Sequence, residues 1–200
     1  MKKWFLDSSI NLIKKNKNYS ESEIEIIAYG LEGLYLTFTK AIVIFGIAII
    51  LGIFREMLYL LISYNLIRSQ AFGIHASKSL YCLLSSLTLF IGGTFLCMYI
   101  NISLWIMVAI SCICIIFLLL YAPADTHKRP IVNQKKRKRF KIISVVLGMI
   151  YTILIIIFDG KYLSNYLLFG MISSVIMILP ITYKIFNMPY KNYINYINGV

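Results

Sequence analysis

Long apolar runs, separated by short polar segments, occupy most of the chain. Crossing a bilayer as a helix takes roughly 17–25 residues. Runs of that length occupy residues 34–54, 79–100, 103–121 and 162–182, and a run at the short end of the range occupies residues 142–158. This pattern predicts an all-α fold, a polytopic membrane bundle of transmembrane helices.

The first 33 residues follow a different pattern, in which apolar positions recur with helical spacing. Leu6, Ile10 and Ile13 share one helical face and three lysines follow them, which predicts an amphipathic helix lying in the membrane interface. Ser20 followed by Glu23 is a capping-box pattern, so a second helix is predicted to begin there. We expect residues 1–33 to form N-terminal interfacial helices of a single membrane-embedded domain that covers residues 1–200.

The composition supports a membrane protein and excludes a water-soluble enzyme. Apolar residues make up 60% of the chain and charged residues 14%, with a mean hydropathy of +0.79, whereas soluble domains are about half apolar and about a quarter charged. The chain has 20 Lys and Arg against 8 Asp and Glu, a net charge of +12. In so apolar a chain, a basic excess indicates membrane orientation or contact with anionic lipid, and no nucleic-acid partner is expected.

The basic residues predict the topology. Residues 122–141 carry eight Lys and Arg against one acid, Asp125, so the positive-inside rule makes this segment a cytoplasmic loop. The helices on either side then form hairpins that turn outside the cell. The lysine-rich N-terminus is also expected in the cytoplasm, so the chain must cross the membrane an even number of times before residue 75. Residues 57–74 are expected to make the second crossing, which gives about six crossings in total. The alternative is that residues 57–74 re-enter the membrane and the N-terminus lies outside.

One short segment concentrates the polar residues found within the apolar region. Ionisable groups at membrane depth are costly and usually functional, and here His75 and Cys82 supply a base and a nucleophile. Seven residues of unbroken helix would separate them by roughly 10 Å along the axis, so a working dyad needs a break in the chain. Gly73 permits such a break, and Ser77 or Ser79 is a ready N-cap for the next helix.

A helix beginning at Ser77 or Ser79 places Cys82 in or near its first turn, where a thiol pKa is lowered, and a neighbouring histidine lowers it further. Backbone amides after Ser79, or the Gln70 side chain, are candidates to hold an oxyanion. The other three cysteines are interpreted as small apolar fillers. Arg68 on its own is also consistent with a side chain that snorkels to the headgroups.

Two segments resemble one known family. Residues 68–76, Arg-Ser-Gln-Ala-Phe-Gly-Ile-His-Ala, with a cysteine seven residues after the histidine, resemble the signature of the accessory gene regulator protein B family. The segment Tyr-Ala-Pro-Ala-Asp-Thr-His-Lys-Arg-Pro at residues 121–130 is similar to that family's second landmark. The resemblance implies a bacterial membrane cysteine endopeptidase that processes a quorum-sensing propeptide, with its active site at the cytoplasmic side.

The resemblance also implies roles for particular residues. It makes Cys82 the nucleophile and His75 its base, and Arg68 and Gly73 match other family positions that processing requires. Lys128 and Arg129 fall in the family's functional basic loop, where they would contact substrate or lipid. The implied partners are an AgrD-like propeptide, the lipid bilayer and a second copy in a homodimer, with no cofactor and no metal.

Two other classes of function compete with the endopeptidase. A non-enzymatic transporter or assembly factor for a small peptide would also explain the apolar runs and the basic loop, with the histidine and cysteine incidental. A metal-dependent lipid-modifying enzyme is disfavoured, because no pair of acids lies near the cytoplasmic face with metal-ligand spacing. Whether the product ring is a thiolactone or a lactone is left open by the sequence.

Overall fold

The computed structural model describes residues 2–16, 20–74, 79–126 and 131–194. The chain is 80% helical, and its described part contains no strand, which confirms the predicted all-α class. The chain divides into two compact units, Met1–Leu51 and Gly52–Val200. The expectation of a single domain over residues 1–200 stays a prediction.

The first unit consists of two helices, α1 (Lys2–Asn16) and α2 (Glu21–Ile50), which pack against each other. The predicted capping box is present: the backbone N–H of Ser20 donates to the Glu23 carboxylate at 2.9 Å, and the Glu23 N–H donates to the Ser20 hydroxyl at 3.4 Å. The apolar part of α2, Gly30–Ile50, is long enough to span a membrane. It ends four residues before the predicted limit at residue 54, because the chain turns at Gly52, where φ is +69°.

The second unit begins with α3 (Phe54–Ala71), one unbroken helix. Its 18 residues correspond to about 27 Å of rise, close to the thickness of a bilayer core. Residues 57–71 are therefore helical throughout, with no irregular re-entrant turn among them. Buried residues recur at helical spacing along one face of α3: Met57, Leu60, Ser63, Ile67 and Ala71.

A nearly continuous helix follows, built from α4 (Ser79–Leu87), a π-helical turn (Thr88–Gly92) and α5 (Gly93–Tyr99). A short turn leads to α6 (Leu104–Tyr121). Leu80–Tyr99 and Leu104–Tyr121 are each long and apolar enough to span a membrane, which agrees with the predicted runs at residues 79–100 and 103–121.

The helix α7 (Gln134–Ile157) corrects the prediction of a basic loop over residues 122–141. Its first eight residues are the last part of that segment, so the basic stretch is helical and joins directly to the apolar run. Lys and Arg are good helix formers, and the side chain of Asn133 caps the helix by accepting the Lys136 N–H at 3.1 Å. The whole helix, Gln134–Ile157, is the fourth segment able to span a membrane by length and composition.

The predicted run at residues 162–182 is also interrupted. The helix α8 (Tyr162–Ile176) ends before a turn at Met177–Leu179, and α9 (Pro180–Ile185) begins with a proline, which lacks the N–H a continuing helix needs. With 15 residues, α8 is shorter than the four candidate spans.

Small residues let α8 pack closely against α3 at the centre of the second unit. A Cβ added to Gly170 would lie 2.8 Å from the Ser63 Cβ and 2.9 Å from the Tyr64 nitrogen. The Ser174 hydroxyl donates to the Tyr64 carbonyl at 3.1 Å, and the Tyr151 hydroxyl of α7 donates to the Ser63 carbonyl at 2.9 Å. These contacts fix α3, and with it the segment that follows.

Candidate active site

The chain breaks between α3 and α4, as the spacing of His75 and Cys82 predicted. The helix α3 is capped at Phe72, where φ is +58° and ψ is −135°, and Gly73 follows with φ +110°. The helix α4 begins at Ser79. The break is therefore confirmed, while His75 itself lies outside the described residues.

The segment after α3 is bonded on both sides to parts of the chain that are distant in sequence. The Gly73 N–H donates to the Ala124 carbonyl at 2.7 Å, and the Ala124 N–H donates to the Ala71 carbonyl at 2.9 Å. The next residue, Ile74, donates its N–H to the Met177 carbonyl at 3.1 Å. Residues 72–74, 122–126 and 177–193 thus meet in one place, which we call the junction.

Arg68 lies in the last turn of α3, and its guanidinium bonds the backbone of the junction. Its Nη1 donates to the Phe72 carbonyl and its Nη2 donates to the Ile74 carbonyl. The half-buried guanidinium thus engages two carbonyls that lie beyond the end of its own helix, which is not the geometry of a side chain extended toward headgroups. These contacts suit a residue that positions the segment leading to His75.

Gly73 occupies a site where a side chain would not fit. An added Cβ would collide with the Met177 carbonyl oxygen and with Arg68 Nη1, and it would lie 2.9 Å from the Met177 carbonyl carbon. Its positive φ is also a conformation that residues with a Cβ rarely adopt. Both steric space and backbone angle therefore require glycine at this position.

Asp125 is buried in the junction, with 2% of its surface exposed. The Tyr193 N–H donates to its Oδ2 at 2.7 Å, and the Tyr183 hydroxyl donates to its backbone carbonyl at 2.9 Å. Burial raises the pKa of Tyr183, while nearby Arg68 acts in the opposite direction. The Arg137 guanidinium lies 3.9 Å from Asp125 Oδ2 and stacks on the Tyr193 ring at 3.5 Å.

Cys82 is the fourth residue of α4 and is half-buried. Its backbone carbonyl accepts a hydrogen bond from the Ser85 hydroxyl at 3.1 Å. The Tyr64 ring of α3 packs edge-to-face on Phe90 of the π-helical turn, with ring centroids 5.6 Å apart. The cysteine therefore lies near the start of the first helix after the chain break, and the π-helical turn that continues this helix contacts α3.

The other cysteines have different surroundings. Cys97 and Cys114 are buried at 3% and 5% exposure, as apolar fillers would be, and Cys112 is exposed on α6. Cys82 alone among the four is at the start of a helix that follows a chain break. Over the part of the chain that the structure describes, no group of three or more His, Cys, Asp or Glu side chains is arranged to hold a metal ion.

The remaining site residues are placed as follows. Gln70 is half-buried on the last turn of α3, and its amide nitrogen donates to the Ser69 hydroxyl at 3.1 Å. Ser79 is the first residue of α4. Lys128 and Arg129 lie outside the described residues, as does Ser77, so their predicted roles stay predictions.

A comparison with protein families identifies the chain. The family model of Accessory gene regulator B matches residues 6–181, a range that includes Arg68, Gly73, His75, Cys82 and Asp125. The chain belongs to the accessory gene regulator B family.

Known relatives resemble the chain over most of its length. It is 31% identical over 183 residues to a "Putative AgrB-like protein" of Clostridium acetobutylicum, covering 90% of this chain and 88% of that protein. A "Putative AgrB-like protein" of Listeria innocua is 30% identical over 186 residues, 92% of this chain and 91% of the relative. "Accessory gene regulator protein B" of Staphylococcus aureus is 30% identical over 177 residues, which cover 88% of this chain and 93% of the relative. No solved structure matches.

Sequence reasoning alone missed the importance of Asp125 for this family member. The acid was counted only as a charge that offsets the basic segment, yet its buried carboxylate and carbonyl tie together the ends of α6, α7 and α9. The available signal was its isolation: it is the one acid among residues 122–141, directly after an Ala-Pro-Ala turn. A lone carboxylate among cations suggests a structural partner, but which partners it has depends on packing that the sequence does not reveal.

Proposed function

We propose that this protein is an integral membrane cysteine endopeptidase that cleaves a quorum-sensing propeptide and promotes its cyclisation. The observation that carries the proposal is the position of Cys82 in the first turn of α4, directly after a chain break that Arg68 and Gly73 hold in place. Membership of the accessory gene regulator B family supports an AgrD-like propeptide as the substrate.

The proposed first step is acyl transfer to sulfur. The Cys82 thiolate attacks the propeptide carbonyl on the C-terminal side of the future ring, so a C–S bond forms and the C–N bond breaks. Protonated His75 gives its proton to the departing amine.

The oxyanion of the tetrahedral intermediate needs hydrogen-bond donors. Backbone N–H groups after Ser79 are one candidate, and the Gln70 amide is the other. Gln70 lies on the last turn of α3, on the other side of the chain break from α4. Its amide nitrogen contacts only the neighbouring Ser69 hydroxyl among described atoms at 3.1 Å, a bond that substrate can replace.

The second step releases the peptide as a ring. An internal thiol of the propeptide attacks the acyl-enzyme, so one thioester replaces another at little net cost, and Cys82 leaves as a thiolate. An internal hydroxyl would give a lactone in the same way. Forming the first thioester from an amide is uphill, so release of the C-terminal fragment has to help draw the reaction forward, and water must be kept from the intermediate.

The decisive experiment compares cysteine and histidine variants in membranes that contain the cognate propeptide. We expect Cys82→Ala and His75→Ala to lower processing by at least roughly a thousandfold at normal levels of membrane insertion. The matched control is Cys112→Ala, which removes an exposed thiol elsewhere and should process normally. Cleavage that persists in Cys82→Ala or His75→Ala protein would favour a transporter or assembly factor instead.

Trapping the intermediate tests the nucleophile directly. Acid quenching of the wild-type reaction should leave a mass increase on Cys82 equal to the N-terminal acyl portion of the propeptide. Hydroxylamine should remove this adduct, because it cleaves thioesters. An adduct on any other residue would contradict the proposal.

We further propose that the active site faces the cytoplasm and that two copies form a homodimer, as the family resemblance implies.

A further inference from the structure

A cavity of about 300 Å³ lies beside the junction, where α6 ends and α7 begins. Residues 120–125 line it, together with the basic first part of α7 and the segment from Tyr190 to Tyr193. Among the described residues of the proposed active site, Cys82, Gln70 and Ser79 do not line it. The cavity therefore needs an explanation of its own.

The cavity is strongly cationic. Among the residues that the structure describes, its charged lining consists of the four cations Arg137, Lys138, Lys141 and Lys191 and the single carboxylate of Asp125. That carboxylate already accepts a hydrogen bond from the Tyr193 N–H at 2.7 Å. Like charges three or four residues apart on a helix repel each other, so the cations of α7 gain stability if an anion occupies the space between them.

Arg137 has an unused donor at this cavity. Its Nη1 is buried and, among the described residues, has no hydrogen-bond partner, because Asp125 Oδ2 at 3.9 Å is beyond hydrogen-bond range. Its Nη2 donates to the Pro123 carbonyl at 3.3 Å, and stacking on Tyr193 fixes the guanidinium plane. A buried donor left unpaired is costly, and an oxygen anion in the cavity would satisfy it.

The position of the cavity relative to the apolar helices indicates which kind of anion it binds. The apolar helix α6 ends at Tyr121 and the apolar part of α7 begins at Ile142, so the cavity lies where both spanning segments leave the hydrocarbon. Tyrosines, which favour the membrane interface, also line it. A second hollow shares Lys138 and is also lined by Lys135, Arg139, Ile142 and Ile143. Its isoleucines and the alkyl stems of its cations offer an apolar surface to the first part of an acyl chain.

We propose that this cavity binds the phosphate of an anionic phospholipid headgroup. Arg137 supplies a fixed guanidinium, Lys138 and Lys141 supply ammonium groups, and the adjacent hollow accepts the lipid chain. Its volume of about 300 Å³ accommodates one headgroup and is too small for a folded peptide tail. The proposal is independent of the cysteine chemistry.

Lipid binding to the full-length protein in a mild non-ionic detergent tests this proposal by native mass spectrometry. We expect Lys138→Gln/Lys141→Gln protein to bind phosphatidylglycerol at least about tenfold more weakly than wild type, since each lysine near a lipid surface contributes on the order of 1 kcal/mol. The matched control is Lys136→Gln/Lys184→Gln, which removes the same charge from exposed positions outside the cavity. Both double variants should keep the wild-type unfolding temperature.

Three further probes identify the source of the phosphate. Phosphatidylcholine should bind much more weakly than phosphatidylglycerol, and inorganic phosphate or hexaglutamate should not displace the bound lipid at equal concentration. An equal loss of phosphatidylglycerol affinity in both double variants would overturn the assignment of a binding site to this cavity. Displacement by inorganic phosphate would assign the cavity to a free anion, and displacement by hexaglutamate would assign it to an acidic peptide, and either result would overturn the lipid assignment.

Discussion

The two sides of the proposed active site are built very differently. Before the break, residues 72–74 are bonded to Ala124 and Met177 through backbone hydrogen bonds of 2.7–3.1 Å, and Arg68 holds two of their carbonyls. After the break, every residue from Leu80 to Leu87 is exposed or half-buried, and Cys82 lies among them. The segment that leads to the base is fixed, while the helix that carries the nucleophile is loosely enclosed.

This contrast suggests different roles for the two sides of the proposed site: the junction positions the chain, and α4 presents Cys82. Ile74 is the residue before His75, so the junction sets where the segment carrying the base begins. An exposed α4 leaves Cys82 accessible to a peptide chain that arrives through or along the membrane.

The largest effect should come from Gly73→Ala, on the fixed side. The added Cβ meets backbone atoms of Met177 and the positive φ is strained, so we expect a loss of about 2–5 kcal/mol of stability together with loss of processing. Thermal unfolding in detergent and propeptide cleavage measure the two effects.

Gly160→Ala is the matched control for that substitution. Gly160 also has a positive φ, +72°, but nothing lies within 4 Å of its added Cβ. Backbone strain alone should cost about 1 kcal/mol there. If the two alanine variants are equally stable, the close packing of the junction is not what makes Gly73 necessary.

A smaller effect is expected from Asp125→Ala, which leaves the Tyr193 N–H without its acceptor and Arg137 without its nearest counter-charge. We expect about 1–3 kcal/mol of destabilisation, read from the unfolding midpoint, and reduced processing. Asp125→Asn keeps an acceptor oxygen and should recover part of the loss. The same substitution at exposed Asp159 should have little effect, and equal losses at both positions would contradict a structural role for Asp125.

The smallest effect should come from Leu84→Ala on α4, where 50% of the side chain is exposed. We expect the free energy of unfolding in detergent to change by less than about 0.5 kcal/mol. Leu60→Ala, at a fully buried position of α3, should cost about 2–5 kcal/mol. A large loss at Leu84 would mean that α4 is held as firmly as the junction, and the contrast between the two sides would disappear.

Local patterns predicted local structure well. The Ser20–Glu23 pair forms the capping box that its spacing indicated, and Gly73 lies in the break that the distance between His75 and Cys82 required. Both features depend on a few neighbouring residues. The family resemblance likewise rested on short motifs, and the match over residues 6–181 confirms it.

Other features were missed because the composition of a long segment outweighed the signal of single residues within it. Composition marked residues 122–141 as a loop, but helix-forming lysines and the Asn133 cap continue α7 through the basic stretch. Hydropathy ran unbroken across residues 162–182, yet Pro180 separates two helices. For Arg68 the sequence left open a headgroup contact or a supporting role in processing, because the carbonyls of Phe72 and Ile74 come within its reach only once the chain turns back at Gly73.

The bond from the Ile74 N–H to the Met177 carbonyl has a consequence for biogenesis. A ribosome must translate the chain as far as Met177, and the insertion machinery must accept α8, before that acceptor exists. A nascent chain that already carries both His75 and Cys82 still lacks the partner that completes the junction. Products truncated before Met177 would therefore lack this bond, and the proposed activity would require synthesis through the end of α8.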